Sequence, residues 1–426
     1  MMQSWFPDAK LGIFLHWGIY SVKGIPESWA FFNRQISYED YMAQCSGFTA
    51  NHYDPQAWAN LFQRAGAKYA VLTSKHHDGV ALWDTQLSDL SVVKQTPAAR
   101  DLLTPYCEAL REKGLKVGIY FSHLDWSHPD YAPIPPEERH GDTMEKAYQQ
   151  WSDGPNNPTW QRFLKFHRGQ LEELCTRFGK VDLLWFDGDW TPGDEYWRMA
   201  ELREQLLSWQ PETILNSRMR GHGDYQTPEQ GIPISRPEGP WEFCVTINDS
   251  WGYQPQDQNY KSVRQIVRMF AECIGMGGNL LLDITPKEDG IFPPEQVERL
   301  EALGDWIRQH EEAVYATEAG LPAGHLYGTS TLSKDHQTLY AMIFDRPWDE
   351  IAIKGIRNQI KRVSVVGSGH ELSYRKMGGA AWMNIPGVLW IEVPEAELNP
   401  NATVIKIELD GPLDLYSGAG HAIESN

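Results

Sequence analysis

Residues 181–190 run Val-Asp-Leu-Leu-Trp-Phe-Asp-Gly-Asp-Trp, an apolar stretch that stops on a carboxylate. Residues 181–186 are too few for a helix and enough for a buried strand. Along a strand, residues two apart share a face, so Trp185 and Asp187 are expected to point the same way. An aromatic plate beside a carboxylate at the carboxyl end of a parallel strand suits a sugar-processing site, since ligands of barrels and open α/β sheets bind at that end. Taken alone, Asp187 could equally cap a turn or the next helix. The other strand ends tip the balance.

His16, His76, His77, Tyr120, Asn216 and Arg218 also stand where apolar runs finish. No single one is diagnostic, but their recurrence at one place on successive strands is what a shared barrel mouth would produce. His76 and His77 are neighbours, so both reach that mouth only if their strand has already ended. With no HxH, HExxH or two-His-one-carboxylate spacing, neither a metal nor any other cofactor is expected, and the histidines suit hydroxyl recognition. Arg218 can clamp an anion or hold a carboxylate ionised. Asn216 shares its face as a hydroxyl partner or as a barrel-layer residue. Cleaving a glycoside takes two carboxyl groups, one on each side of the scissile bond. Asp187 supplies one. The irregular stretch 221–240 offers Asp224, Glu229 and Glu238, with Glu242 just beyond, and spacing does not choose among them.

These residues need a frame. Strands are expected at 11–16, 69–74, 115–121, 181–186, 213–218 and 279–284. Helices are expected at 55–64, 102–112, 160–178, 195–209, 258–274 and 294–311, with Gly66, Gly114 and Gly179 as stops. This alternation predicts a (β/α)8-like TIM barrel over residues 1–316. No GxGxxG follows the first strand, which counts against a dinucleotide fold. From residue 317 to 426 the texture changes to short β-rich runs at 325–327, 338–344, 350–353, 360–366, 388–393 and 403–409. They predict a C-terminal antiparallel β-sandwich.

Composition sets limits on partners. A formal net charge of −19 disfavours nucleic acid. No apolar stretch is long enough to span a bilayer, so no membrane partner is expected. The start lacks a basic segment followed by an apolar one, which gives a cytoplasmic expectation, or a secreted or periplasmic one if a leader has been removed. Five scattered cysteines read as free thiols, not disulfides or zinc ligands. The 18 tryptophans are many for 426 residues and fit a surface that stacks on sugars. A homo-oligomer is left open.

Several segments together resemble one family. They are Trp5-Phe-Pro-Asp-Ala-Lys-Leu-Gly-Ile-Phe-Leu-His-Trp-Gly18, Ala65-Gly-Ala-Lys-Tyr-Ala-Val-Leu-Thr-Ser-Lys-His-His-Asp-Gly79, Leu184-Trp-Phe-Asp-Gly-Asp-Trp190, Asn216-Ser-Arg218, Trp241-Glu-Phe-Cys244 and Gly277-Gly-Asn-Leu-Leu-Leu-Asp-Ile284. In this order they are similar to the family 29 glycoside hydrolases, the α-L-fucosidases. The resemblance implies a retaining, exo-acting hydrolase of terminal α-L-fucosyl linkages in an oligosaccharide or glycoconjugate. It implies Asp187 as nucleophile and, from Thr227-Pro-Glu-Gln230, Glu229 as general acid/base, with Glu242 next. It further implies a sugar site of Phe14, His16, Glu27, Trp29, His76, His77, Tyr120, Trp185 and Arg218, although Ser28 here separates a Glu-Trp pair that is contiguous in many relatives. The alternatives are a non-catalytic fucose-binding protein on the same scaffold, another retaining glycosidase, or a metal-dependent hydrolase using the two adjacent histidines.

Overall fold

The computed structural model describes residues 2–345 and 350–418. Seven parallel strands form one curled sheet: β1 (Leu11–Leu15), β2 (Tyr69–Lys75), β3 (Lys116–Ser122), β4 (Leu183–Asp187), β5 (Ile214–Leu215), β6 (Glu242–Thr246) and β7 (Asn279–Ile284). Their spatial order is β5-β4-β3-β2-β1-β7-β6. Parallel bridges Asn216↔Tyr225, Gln226↔Trp241 and Glu229↔Cys244 carry the chain from β5 to β6. Residues 225–229 thereby act as an irregular eighth stave. The stretch 221–240 is thus not loop throughout, and its extended part lies between two strands of the barrel.

The helices follow local capping chemistry. Asp54 accepts from Ala57 N–H ahead of Pro55–Arg64, with Pro55 at the first position, where no N–H is needed. Ser262 and Gln265 form a reciprocal capping box on Val263–Gly275. That cap is why this helix begins at Val263 and not at 258. The helix expected over 195–209 is broken at Arg198, whose φ of 51° separates Asp194–Trp197 from Met199–Trp209. The strand expected over 213–218 shortens to Ile214–Leu215 because the Asn216 amide takes over the pairing, bonding both the N–H and the C=O of Phe186 at 2.9 Å.

β6 is a strand the apolar pattern did not show: it starts on a charged residue and follows a proline- and glycine-rich run. Every residue in it is buried, Glu242 included.

Beyond the barrel, β8 (Thr317–Ala319), β9 (Thr329–Ser333), β10 (Thr338–Ile343), β12 (Ile360–Val365) and β15 (Thr403–Leu409) form a five-stranded sheet. β11 (Glu350–Ile353), β13 (Tyr374–Met377) and β14 (Val388–Glu392) form a three-stranded one. Leu339, Val363, Ile405 and Ile407 of the first sheet pack with Ile351, Ile353, Leu389 and Ile391 of the second in one core, which makes the pair a sandwich. Residues 325–327 are not a strand and contribute only the single bridge Leu326↔Ile353. Trp306 on Pro294–Gln309 ties the two halves together by donating its indole N–H to the Ala402 carbonyl at 3.0 Å.

Candidate active site

β4 ends in the sheet at Asp187, and Gly188 turns the chain there. Its φ is +83°, and a Cβ at that position would lie 2.5 Å from Leu124. Glycine is needed at this turn. The turn lets the Gly188 N–H donate to Asp187 Oδ1 at 2.9 Å. Arg218 Nη1 donates to the same oxygen at 2.7 Å, and Tyr120 donates its hydroxyl to Oδ2 at 3.0 Å. Parallel register pairs Tyr120 with Trp185 and Ser122 with Asp187. The Tyr120 and Trp185 rings stack 5.6 Å apart. Burial by itself would raise the pKa of Asp187, but the Arg218 guanidinium and the Tyr120 hydroxyl outweigh it and hold the carboxyl below its ordinary value.

Arg218 is the hub. Its guanidinium lies 4.6 Å over the Trp185 ring, with Nη1 on Asp187 and Nη2 on Glu229 Oε2 at 2.5 Å. One rigid fork therefore holds two carboxylates far apart in sequence, on adjacent nitrogens.

The three mouth histidines are each oriented by a partner. His77 Nδ1 lies 2.6 Å from Ser122 Oγ, whose own hydrogen goes to the Leu124 carbonyl at 2.8 Å. Ser122 must then accept, so His77 carries its proton on Nδ1 and its Nε2 is bare. That bare nitrogen is buried without a hydrogen-bond partner, 3.6 Å from Asp187 Oδ2. Two acceptors facing each other leave this contact without a hydrogen between them. Burial lowers the His77 pKa to about 4. His76 Nδ1 is 2.6 Å from Ser28 Oγ. His16 Nδ1 is 2.7 Å from Asp283 Oδ1 on β7. Burial pushes His16 down to about 3 and Asp283 well up, and Nε2 is the nitrogen left for the cavity.

The sequence left open whether both adjacent histidines could reach the mouth. β2 stops at Lys75, and the two rings lie 4.2 Å apart on one side.

A cup of about 160 Å³ opens among these groups, a size for one ring and not for a chain of them. It is lined by Phe14, His16, Glu27, Trp29, His76, Tyr120, Trp185, Asp187, Arg218 and Glu229, and also by Trp190 and Trp251. His77 stands behind this lining, against Asp187. Glu27 and Trp29 both reach the cup because the intervening Ser28 turns away to His76. Glu27 accepts from the Gly252 N–H at 2.5 Å, and burial raises its pKa to about 7. Trp251 packs at a tilt beside His16, its ring centroid 5.0 Å away. It carried no strand-end signal because the strand before it, β6, was not recognised. Trp190 directly follows the Asp187 turn, and its indole donates to Glu145 Oε1 at 3.0 Å.

Other expected residues sit elsewhere. Asn216 is buried and spent on Phe186, so it is a frame residue and not a hydroxyl partner. Asp224 pairs with Arg203 at 2.6 Å. Glu238 is exposed and absent from the cup lining. Glu242 is fully buried behind Trp185, accepting the Trp185 indole at 2.8 Å and the Tyr69 hydroxyl at 2.5 Å. Burial raises its pKa to about 7. Between the ordinary value of 4.5 and about 7 the folded state holds this proton more tightly than the unfolded one, so the residue removes stability as pH rises through that window. A neutral amide matches both partners, accepting from Trp185 and donating to Tyr69. Glu242→Gln is therefore expected to keep kcat/KM within about threefold of wild type. Its thermal stability relative to wild type should increase as pH is raised from 5 to about 8. A loss of a hundredfold or more would return Glu242 to the acid/base candidates.

The sequence model of the α-L-fucosidase family matches residues 1–312. The chain belongs to this family. Human tissue α-L-fucosidase is 33% identical over 349 residues, covering 74% of this chain and 70% of the human one. Among solved structures, α-L-fucosidase isoenzyme 1 from Paenibacillus thiaminolyticus superposes with a TM-score of 0.83 at 32% identity, covering 95% of this chain and 98% of that one. Thermotoga maritima α-fucosidase, in complex with a mechanism-based inhibitor, gives 0.77 at 30% identity over 95% and 96% of the two chains. The likeness to the α-L-fucosidases thus extends through the barrel and the sandwich together.

Proposed function

We propose that this protein is a retaining, exo-acting α-L-fucosidase in which Asp187 is the nucleophile and Glu229 the general acid/base. One observation carries the reading: a single guanidinium spans both carboxylates at the wall of a cup that holds one sugar. Retaining enzymes set their two carboxyl groups only about 5–5.5 Å apart, and two groups bound to one Arg fork fit that scale. In the first step Asp187 attacks the anomeric carbon, and the bond to the leaving oxygen breaks with its electron pair on that oxygen. Glu229 gives the oxygen its proton. In the second step Glu229 takes a proton from water, the water oxygen bonds to the anomeric carbon, and Asp187 leaves. Arg218 keeps Asp187 ionised for the attack. Glu229 has to leave its Arg218 contact to reach the leaving oxygen, a rearrangement that substrate entry can drive.

One relative supports the covalent route: a Bacteroides thetaiotaomicron α-L-fucosidase has been trapped as a covalent intermediate with 2-fluoro-fucosyl fluoride. The substrate we assign is a terminal α-linked L-fucosyl group on an oligosaccharide or glycoconjugate. His16, His76 and Glu27 would meet its hydroxyls, with Phe14, Trp29, Tyr120, Trp185 and Trp251 around the ring. NMR of the first-released sugar from defined fucosyl oligosaccharides tests this reading. Retained α-fucose supports it, and β-fucose as first product would remove it.

A metal-dependent reading has one specific observation in its favour, since ligand atoms of His76, His77 and Asp187 lie within 4.8 Å of one another. Arg218 and Tyr120 already occupy the Asp187 oxygens, and a cation would have to displace a guanidinium ion-paired at 2.7 Å. Exhaustive chelation is therefore expected to leave activity unchanged. A loss restored by one added divalent metal would favour the metal reading.

A further inference from the structure

We propose that the buried pair His123 and His167 positions Arg218, through its backbone, for its contact with the nucleophile. β5 supplies only two ladder residues, so the sheet does not hold the chain at 218. Side chains do so instead: Asn216 on Phe186, Asp189 Oδ2 on the Arg220 N–H at 2.9 Å, and His123 on Arg218 itself.

His123 follows β3, and its own N–H donates to the Asp187 carbonyl at 2.8 Å. Its Nε2 lies 3.1 Å from the Arg218 carbonyl. A carbonyl only accepts, so Nε2 carries the hydrogen. In a neutral ring Nδ1 is then an acceptor, and it lies 3.1 Å from His167 Nε2, which must donate. The proton positions of both rings follow from the one carbonyl. Both rings are fully buried, and burial drives the His123 pKa down to about 3 and that of His167 well below its ordinary value, so neither titrates where the enzyme would work.

Phe186 stacks on His123 at 4.7 Å, with the rings 9° from parallel, and Trp197 closes the other side at 5.4 Å. The charged groups around the pair are Arg168, Lys75, Asp187 and Arg218; Arg168 and Lys75 oppose protonation of either ring. Neither histidine lines the cup. Their effect therefore passes through Arg218. With the carbonyl released, the guanidinium loses its fixed place between Asp187 and Glu229, and Asp187 loses part of what keeps it ionised.

The test compares His123→Gln, whose amide nitrogen can still donate to the Arg218 carbonyl, with His123→Leu, which cannot. An aryl α-L-fucoside across pH is the assay. For His123→Leu we expect kcat to fall about tenfold or more with KM within about threefold, a small misplacement being costly at the reacting atoms. Its acid limb of kcat/KM should move up by about half a pH unit or more, because Asp187 holds its proton more tightly. His123→Gln should stay within about threefold of wild type on every measure. A folded Leu variant with wild-type kcat and acid limb overturns the proposal, as does equal loss in both variants. If His123→Leu does not fold, His167→Phe removes the donor to Nδ1 and should move the limb the same way; an unmoved limb there overturns it equally. The inference rests on Asp187 being the nucleophile, which Asp187→Ala decides independently. A dead, azide-rescued Asp187→Ala with an unaffected His123→Leu defeats this inference alone.

Discussion

Asp187→Ala is expected to lower kcat on an aryl α-L-fucoside by about a thousandfold or more, with KM changed by less than about tenfold. Added azide should then restore part of the turnover as β-L-fucosyl azide, because the small anion can occupy the space the carboxylate leaves and attack from the same side. The size of the loss follows from the surroundings of the group. Arg218, Tyr120 and the Gly188 N–H all converge on Asp187, so its removal leaves three aligned donors without an acceptor in a largely buried cup. The same contacts hold Asp187 below its ordinary pKa of 3.8 in the folded protein. Its contribution to stability is therefore present above about 3.8 and lost as pH falls through the lower folded value. Wild type should accordingly lose more thermal stability than Asp187→Ala when acidified below pH 4. Turnover near wild type in the alanine variant, or azide without effect on an inactive one, would take the nucleophile assignment away from this residue.

How much of this was legible in the sequence depended on where a side chain's position came from. The shared face of Trp185 and Asp187 follows from strand periodicity, the other strand ends mark Asp187 as a site residue, and the alternation of strands and helices sufficed for the barrel. The cup lining Phe14, His16, His76 and Tyr120 sits where strand ends would put it. Four things were hidden. β6 begins on Glu242, and a charged first residue just beyond a proline- and glycine-rich run reads as loop; its burial depends on Tyr69 and Trp185 from other strands, which no local window sees. With β6 missing, Trp251 had no element to follow. The strand expected at 213–218 is longer than the one observed because apolar periodicity cannot show that an asparagine amide will substitute for ladder bonds. Ser28, Ser122 and Asp283 set the rotation of the three mouth histidines, and a small hydroxyl or a buried acid carries no pattern until its partner is known. Residues 225–229 read as irregular because their pairing is to strands on both sides through isolated bridges, not a continuous ladder.

Glu229→Ala is expected to separate substrates by their leaving groups. On a fucosyl oligosaccharide, whose departing alkoxide needs a proton, kcat/KM should fall by roughly 10²–10⁴-fold. On an aryl fucoside with a strongly acidic phenol the same quantity should fall by no more than about tenfold, since that phenolate leaves unaided. Turnover of the aryl substrate should still stall, because water then has no base to deprotonate it against the fucosyl enzyme. Azide relieves that stall without needing a base, and the product here should be α-L-fucosyl azide, since azide displaces Asp187 from the face the leaving group vacated. The two alanine variants therefore give azides of opposite anomeric configuration, an outcome a general loss of structure cannot produce. The geometry supports this division of labour. Asp187 is pinned at the end of β4 with a side chain 13% exposed, whereas the side chain of Glu229 is 38% exposed and, among the described residues, tethered through Arg218. A nucleophile benefits from being fixed, and an acid that must meet the aglycone oxygen and later a water benefits from standing at the open side. Equal losses on good and poor leaving groups, with no azide product, would mean that another residue donates the proton.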